Sequence, residues 1–377
     1  MKSILIAPNA FKHGLSAQEA AIHIERGLKK SLLKCKTTLF PIGDGGDGTC
    51  VLIHEKLKGT LKKVKVYDPL NQQIEASYSL IHNGRTAIIE MADASGIRLL
   101  KSDELFPLVA SSIGTGELVV DALDQNVEEI IIGMGGSATI DGGCGILHAL
   151  GVRFLDKDKN SLLPYPYELA NMESIDASQI DPRLTHCNIK ILCDVDNPLL
   201  GKNGAAMVFG PQKGASRNDV MFLDEFLTKF SEITKKTTNK DISSLIFGGT
   251  AGGAAAGMYA FAQAELLNGI DYFLKITRFD EELEKADILI TGEGSLDEQT
   301  LSGKAPYGVA IRAQQKNIKT IALAGKIPLL PSADLQDLFP LLVPINHEAL
   351  SLSEALSLTG ENLERTAVMI GNFLAAS

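Results

Sequence analysis

Ala286–Ala313 reads ADILITGEGSLDEQTLSGKAPYGVAIRA, and three patterns follow one another in it. Asp287-Ile-Leu-Ile-Thr291 is a short apolar run of the kind that forms a buried strand. Next comes a polar turn with Gly292, Gly294 and Gly303, which also carries Glu293, Ser295, Asp297, Gln299, Thr300 and Lys304. Pro306 then opens a helical run through Val309, Ala310 and Ile311, a place where proline is tolerated. Strand, glycine-rich loop and helix in this order is how an α/β sheet presents chemistry at the carboxyl ends of its strands. Carboxylates, a lysine and hydroxyls on one loop suit a metal and a phosphate held together. A solvated loop with helix-capping residues would use the same residue types. The loop is not a Walker A motif: Glu298 stands where that motif needs glycine, and Ala305 where it needs Ser or Thr.

The pattern recurs outward in both directions. Downstream, Lys319–Ala324 reads as a strand running into Gly325-Lys326, and Phe339–Pro344 as another. Helical runs at Ser353–Leu358 and Glu361–Leu374 follow. At the other end, Ser3–Pro8 is a strand and Asn9–Gly14 a loop carrying Lys12. Ser16 and Glu19 form a capping box for a helix reaching about Leu33. Lys36–Ile42 is a second strand, and it delivers Gly43-Asp-Gly-Gly-Asp-Gly-Thr49 ahead of a helix to about Lys58. Asp44 and Asp47 flank Gly45 and Gly46, so their carboxylates can converge where the backbone bends; a tight turn with Asp as N-cap is the alternative. Both ends alternate strand and helix, which places them in one doubly wound sheet of the α/β class.

The middle differs. Val64–Val66, Ile74–Ile81 and Thr86–Met91 are β-rich, and His82-Asn-Gly84 carries the Asn-Gly hairpin signal. Glu90, Asp93 and Ser95 form a polar stretch ending at Gly96, and Ser112–Asp124 reads as a helix. The expected organisation is one domain made of residues 1–65 and 278–377, with residues 66–277 inserted as a second α/β domain. Within the insert, Glu128–Ile132 leads into a loop ending at Gly145 that holds Gly135, Gly136, Ser137, Thr139 and Asp141. Gly133, Gly135 and Ala138 match a dinucleotide fingerprint, but the loop is longer than that fingerprint needs and its Asp lies inside it. Small polar side chains and bare N–H groups at a helix start suit an anion. Asn188–Cys193 is a strand delivering Asp194 and Asp196, and a glycine-bounded segment with Gln212 and Lys213 follows. Asp156–Arg183 reads as a surface excursion, and Asn218–Thr237 as an amphipathic helix. Phe247–Gly257, FGGTAGGAAAG, is either a closely packed helix of small residues or a backbone surface pressed on a ligand.

The chain has 377 residues, too many for one ordinary core. Its formal charge is −10 and no Lys/Arg block interrupts it, which excludes nucleic acid and anionic membrane as expected partners. Five cysteines without a CxxC pair point to reduced thiols and a cytoplasmic setting rather than a zinc site. The apolar run after Met1 is too short for a signal peptide. Seven histidines show no ligand spacing, and neither HExxH nor a nucleophile elbow occurs. Acids embedded in glycine-rich loops after strands, with Ser, Thr and Lys beside them, are what cation-assisted phosphoryl transfer requires. Two other classes stay open on these residues: a non-catalytic binder of a hydroxy acid or nucleotide, and an NAD-dependent dehydrogenase resting on Gly133–Ala138 alone.

Six stretches carry a family resemblance: Ala10–Ala17 (AFKHGLSA), Gly43–Thr49 (GDGGDGT), Gly135–Gly143 (GGSATIDGG), Cys193–Leu199 (CDVDNPL), Phe209–Gly214 (FGPQKG), and Gly292–Thr300 (GEGSLDEQT) with Gly303-Lys304. In this order, over nearly the whole chain, they resemble the bacterial type I glycerate kinases. Members usually have Asp-Ser-Phe-Lys-Gly where Asn9–His13 stands, often Asn in place of Ile140, and commonly Ala and Glu in place of Gly43 and Asp47. The resemblance implies a Rossmann-like domain, discontinuous in sequence, a second α/β domain, and a site between them. It implies ATP- and Mg²⁺-dependent phosphorylation of D-glycerate, commonly at the 2-hydroxyl, with a glycerate 3-kinase as the alternative, in a monomer or homodimer. On it, Lys12 and Lys304 neutralise phosphate or carboxylate charge, and Asp44, Asp194 or Glu293 hold the metal or orient the hydroxyl. Gly45, Gly46, Gly135–Asp141, Gln212, Lys213, Ser295, Gln299 and Thr300 bind substrate or phosphate, and the base is Asp194 or Asp297.

Overall fold

The computed structural model describes residues 1–297, 300 and 304–376. They divide into two compact units, Met1–Asp44 with Ile270–Ser377, and Gly45–Gly269. The strands in chain order are β1 (Lys2–Pro8), β2 (Cys35–Leu39), β3 (Thr60–Tyr67), β4 (Gln73–Ile81), β5 (Thr86–Glu90), β6 (Glu129–Gly133) and β7 (Arg153–Leu155). There follow β8 (Ser174–Asp176), β9 (Asn188–Cys193), β10 (Glu265–Asn268), β11 (Ile288–Ser295), β12 (Lys319–Lys326) and β13 (Leu341–Pro344).

The first unit is a five-stranded sheet in the order β13-β12-β11-β1-β2, parallel throughout. Its central strands are near-continuous apolar runs because both faces are covered. On one face, Ile4, Ile6, Ile288, Ile290, Ile321 and Leu323 meet Ile24, Leu28, Leu363 and Ile370 from helices Ala17–Lys30 and Thr359–Ala376. On the other, Ala322 and Ala324 meet Ala310, Leu335 and Leu338 from helices Ala305–Gln315 and Ala333–Leu338. The sheet is therefore doubly wound and Rossmann-like, and it is assembled from the two ends of the chain. Strand order reverses between β1 and β11, and open α/β sheets bind ligands at the carboxyl ends beside such a reversal.

The second unit has a six-stranded mixed sheet, β10-β9-β6-β5-β4-β3. The first four strands run parallel, and β4 and β3 are added antiparallel. The β4–β5 turn takes positive φ at His82, Asn83 and Gly84. Sequence reading drew the first boundary at 65/66; the structure divides the chain at 44/45. The reason is pairing: β3 is the edge strand of the second sheet, and helix Thr49–Leu57 packs on β4, β5 and β6. At the second boundary, Ile270 packs over Gly308 and so joins the first unit.

One segment differs from its expected role, and for another the structure selects between two readings. Asp156–Arg183 is not a surface excursion. Its apolar residues Leu169, Met172 and Ile175 are buried in the second unit's core beside Phe154, and β7 and β8 pair antiparallel across it. The small-residue run Phe247–Gly257 packs on protein. A Cβ on Gly252 would lie 2.1 Å from the Thr139 carbonyl oxygen, and one on Gly257 would lie 2.2 Å from that of Gly142. The run is thus a backbone bed for the loop after β6. Gly252, at φ +66, adds left-handed strain to this clash, whereas Gly201, at φ +93, faces open space. Gly201→Ala carries only the left-handed penalty of about 1 kcal/mol. Gly252→Ala adds overpacking of about 1–3 kcal/mol to it. Denaturant unfolding of the two variants should rank them in that order, and equal stabilities would refute the packing role.

Candidate functional site

Loops from β1, β2 and β11 form the first unit's polar cluster. β1 and β11 are in register with Pro8 opposite Gly292, and the Asn9 N–H donates to the Gly292 carbonyl at 2.8 Å. Asn9 is buried; its Oδ1 accepts from the Ala10 N–H at 2.8 Å and its Nδ2 donates to Asp44 Oδ2 at 3.0 Å. An amide at position 9 attracts Asp44, where a carboxylate would repel it.

Glu293 is 8% exposed, and burial pushes its pKa up to about 7. Lys304 opposes that rise, Asp44 adds to it, and Thr300 and Lys12 oppose it more weakly. Thr300 Oγ1 donates to Glu293 Oε1 at 3.2 Å and accepts from the Asp297 N–H at 3.1 Å. Lys304 Nζ stands 3.9 Å from Asp297 Oδ1, and its backbone opens helix Ala305–Gln315 with Pro306 in the first turn. Ser295 ends β11 opposite Lys326. Lys12 lies exposed in the β1 loop. Lys12, Asp44, Glu293, Asp297, Thr300 and Lys304 are thus gathered in one unit, while Gln299 lies outside the described residues.

The second unit has its own cluster, at the carboxyl ends of β6 and β9. Lys213 is 4% exposed, and its ammonium donates to Ser137 Oγ at 2.9 Å and to the Thr139 carbonyl at 2.8 Å. Burial pulls its pKa down to about 8, against the attraction of Asp141 and Asp194. Asp194 is half-buried just past β9, and Gln212 is exposed beside Lys213 in a short 3₁₀ turn. Asp141 was expected to line an anion cradle. It is instead fully buried and accepts from the Ser112 N–H at 2.8 Å, Ser112 Oγ at 2.6 Å, the Gly143 N–H at 3.0 Å and the Gly145 N–H at 3.1 Å. Its carboxylate therefore satisfies the start of helix Cys144–Ala149 and shapes the loop from within.

The glycines called phosphate-binding also have internal reasons. A Cβ on Gly135 would lie 2.3 Å from Gly46 Cα, and one on Gly45 would lie 2.9 Å from the Leu192 carbonyl oxygen. The Gly135 N–H donates to the Gly45 carbonyl at 3.0 Å, and Gly136 turns with φ +71 against Asp47. Gly133 of the dinucleotide fingerprint abuts Cys50 and Glu90 rather than an open cradle.

Sequence reading placed Glu90 in a polar stretch with Asp93 and Ser95 and gave it no role. It is 2% exposed, its Oε2 accepts from the Cys50 N–H at 3.0 Å, and burial holds its carboxyl well above the usual range. The available signal was a lone carboxylate closing the apolar run of β5. Nearby, Arg98 pairs with Asp93 and with Asp47.

Among the described residues no group of three or more His, Cys, Asp or Glu side chains could hold a metal ion, and none of the helices is long and apolar enough to cross a membrane. A magnesium ion needs no such cage, because it keeps waters and phosphate oxygens and takes one or two carboxylates from the protein. Asp44 and Glu293, close enough for Asp44 to raise the Glu293 pKa, fit that smaller donor set.

The chain matches the family model described as "Glycerate kinase family" over residues 4–375. It is 41% identical to the glycerate kinase of Halalkalibacterium halodurans, with 97% of each chain covered. It is 40% identical to the glycerate 2-kinase of Escherichia coli K12, over 86% of this chain and 85% of that one. A crystal structure from Salmonella typhimurium LT2, described as a candidate glycerate kinase 2, superposes with a TM-score of 0.82 at 39% identity and covers 100% of this chain and 98% of that one. With its parallel switch-point sheet and the acid-and-lysine loops upon it, the chain belongs to the glycerate kinase family of phosphotransferases.

Proposed function

We propose that the protein transfers the γ-phosphoryl group of ATP to the 2-hydroxyl of D-glycerate, giving 2-phosphoglycerate and ADP. The observation that carries this reading is the cluster at the β1/β11 reversal, where two carboxylates and two lysines converge in one unit. The choice of the 2-hydroxyl is supported by the relative named glycerate 2-kinase.

In this reading the first unit handles the nucleotide. Lys12 and Lys304 neutralise phosphate charge, and Asp44 and Glu293 would hold Mg²⁺, which when bound would screen the charge that builds on the transferring group. Asn9 keeps Asp44 oriented. The second unit handles the acid. The Ser137–Thr139 segment, with the Lys213 ammonium beneath it, offers a positive environment for the glycerate carboxylate. Asp194 orients the acceptor hydroxyl and receives its proton. Asp297 is less suited to that role because Lys304 pairs with its carboxylate.

Incubation with ATP, Mg²⁺ and D-glycerate, coupled to enolase without phosphoglycerate mutase, tests the reaction. Phosphoenolpyruvate formation is expected. Its appearance only after mutase is added means a 3-kinase, and no ADP at all defeats the kinase reading.

Asp44→Asn and Asp194→Asn should each lower kcat by about two orders of magnitude or more while leaving the melting temperature within a few degrees, as expected for groups that act in the transition state. Near wild-type turnover in either variant removes that residue from the mechanism.

Lys213→Met should raise KM for glycerate by about tenfold or more, which is about 1.4 kcal/mol or more of lost binding. The wild-type profile of kcat/KM for glycerate should fall as pH rises through about 8, because the ammonium loses its charge there. A flat alkaline limb would exclude a role for that charge.

Glu293 gives a stability prediction of opposite sign to its effect on activity. Its folded pKa, about 7, lies above its ordinary 4.5, so metal-free protein loses stability as pH rises between those values. Glu293→Gln removes that loss. Its stability advantage over wild type should widen by about 2–3 kcal/mol between pH 5 and pH 8. Parallel stability curves would show that the carboxyl is not held in its neutral form.

A further inference from the structure

The first unit contains a cavity that the switch-point cluster leaves unused. Its volume is about 290 Å³ and it is lined by Glu348, Leu350, Leu358, Glu361, Asn362 and Arg365. It lies where the segment after β13 meets the start of helix Thr359–Ala376.

The polar side of this cavity is built rather than incidental. Asn362 is 3% exposed; its Oδ1 accepts from Arg365 Nη2 at 2.9 Å and its Nδ2 donates to Asn346 Oδ1 at 3.0 Å. Asn346 Nδ2 donates in turn to the Gly325 carbonyl at 2.8 Å. Gly325 packs on the strand end beside Glu293, since a Cβ there would lie 2.7 Å from the Gly294 carbonyl oxygen. From the other direction, the loop carrying Lys12 rests on the same helix start: a Cβ on Gly14 would lie 2.8 Å from Thr359 Oγ1. Part-buried hydrogen bonds and close contacts therefore tie the cavity to two loops of the phosphate-side cluster.

Its lining narrows the occupant. Glu348 and Glu361 repel phosphate but accept hydrogen bonds from hydroxyl and amino groups. Leu350 and Leu358 are half-buried and offer an apolar wall. Arg365 stands 3.6 Å from Glu348 and is held by Asn362, which fixes a guanidinium plane suited to stacking on a ring. The volume sits at the small end of the roughly 300–1,000 Å³ typical of small-molecule sites. A ring system with hydroxyls fits; a multiply charged anion does not.

We propose that this cavity receives the nucleoside of the phosphate donor, with the base against Leu350 and Leu358 and the ribose hydroxyls on the carboxylates. The phosphates then lead toward Lys12 and Lys304. The assignment rests on the ATP-dependent reading above and extends it to the site of the base.

Calorimetry on the full chain tests it with two probes, ADP and inorganic tripolyphosphate, on wild type and Leu358→Arg. The variant should lose at least tenfold in ADP affinity and keep its tripolyphosphate affinity. In steady-state assays its KM for ATP should rise by a similar factor, with KM for glycerate at saturating ATP unchanged. Leu350→Gln, also in the cavity lining, provides the same comparison should Leu358→Arg fail to fold. Equal ADP affinity in wild type and variant overturns the site while leaving the kinase reading intact. Equal loss of both probes also overturns it, because the cavity would then be acting on phosphate. Wild-type protein that binds no ADP overturns the site and the ATP-dependent reading together.

Discussion

The parallel pairing of β1 with β11 is the constraint on which the first unit depends. It joins segments 284 residues apart, and Thr291 Oγ1 reinforces it by donating to the Ala7 carbonyl at 2.7 Å inside the sheet. A pairing so distant in sequence carries a large loop-closure entropy. The intervening chain reduces that cost by folding into a unit of its own, with its own sheet and core. One residue of slip along this ladder would turn every side chain of β11 to the other face. Ile288 and Ile290 pack with Ile4 and Ile6 on one face, and the Thr291–Ala7 hydrogen bond holds this register. The same register sets Glu293 one residue beyond the Pro8–Gly292 pair and beside the Asn9–Asp44 contact.

Burial at the two clusters works against charge, and the sequence answers it differently in each. Glu293 is held by one hydroxyl and two distant ammonium groups, and burial still dominates its pKa. Lys213 has two direct acceptors and two attracting carboxylates, and burial still dominates. Asp141 has four donors aimed at it and no exposure, and burial still raises its pKa. Fully satisfied buried ions rigidify a structure, whereas incompletely satisfied ones keep a capacity to exchange protons or to take a further partner. Asp141 spends its acceptors on the loop, whereas Glu293 accepts from the Thr300 hydroxyl.

Fold and family were legible because their signals are local. Apolar runs of strand length, the Ser16–Glu19 capping box and the Asn83-Gly84 turn all depend on neighbours in sequence, and all appear in the structure. The alternating ends announced the doubly wound sheet in the same way. What the sequence left unread depends on contacts made across it. Nothing near Leu169 or Met172 reveals that a polar, proline-rich segment inserts its few apolar residues into the core. The boundary misplacement has the same origin: helix Thr49–Leu57 continues the strand–helix alternation of the first domain until its packing on β4, β5 and β6 is seen. Glu90 shows the limit for charged residues, since a carboxylate at the end of an apolar strand reads as an exposed terminus, and only the Cys50 N–H and the packing of Gly133 reveal its burial.

Glycine-rich loops in an α/β protein are commonly read as surfaces pressed on a ligand, and this chain shows that the inference needs a second step. The loop after β6 touches protein on both sides, Gly135 against Gly46 and Gly143 against Ala254. Three glycine-dense segments remote in sequence, around residues 45, 135 and 252, have lost their Cβ atoms to one another. Close packing of backbone on backbone accounts for these glycines, so glycine content alone does not mark an anion site. Side chains that burial leaves with unspent electrostatics mark it better. Burial displaces the pKa of Glu293 in one unit and of Lys213 in the other, while the glycines supply the closeness that holds the loop after β6 in place.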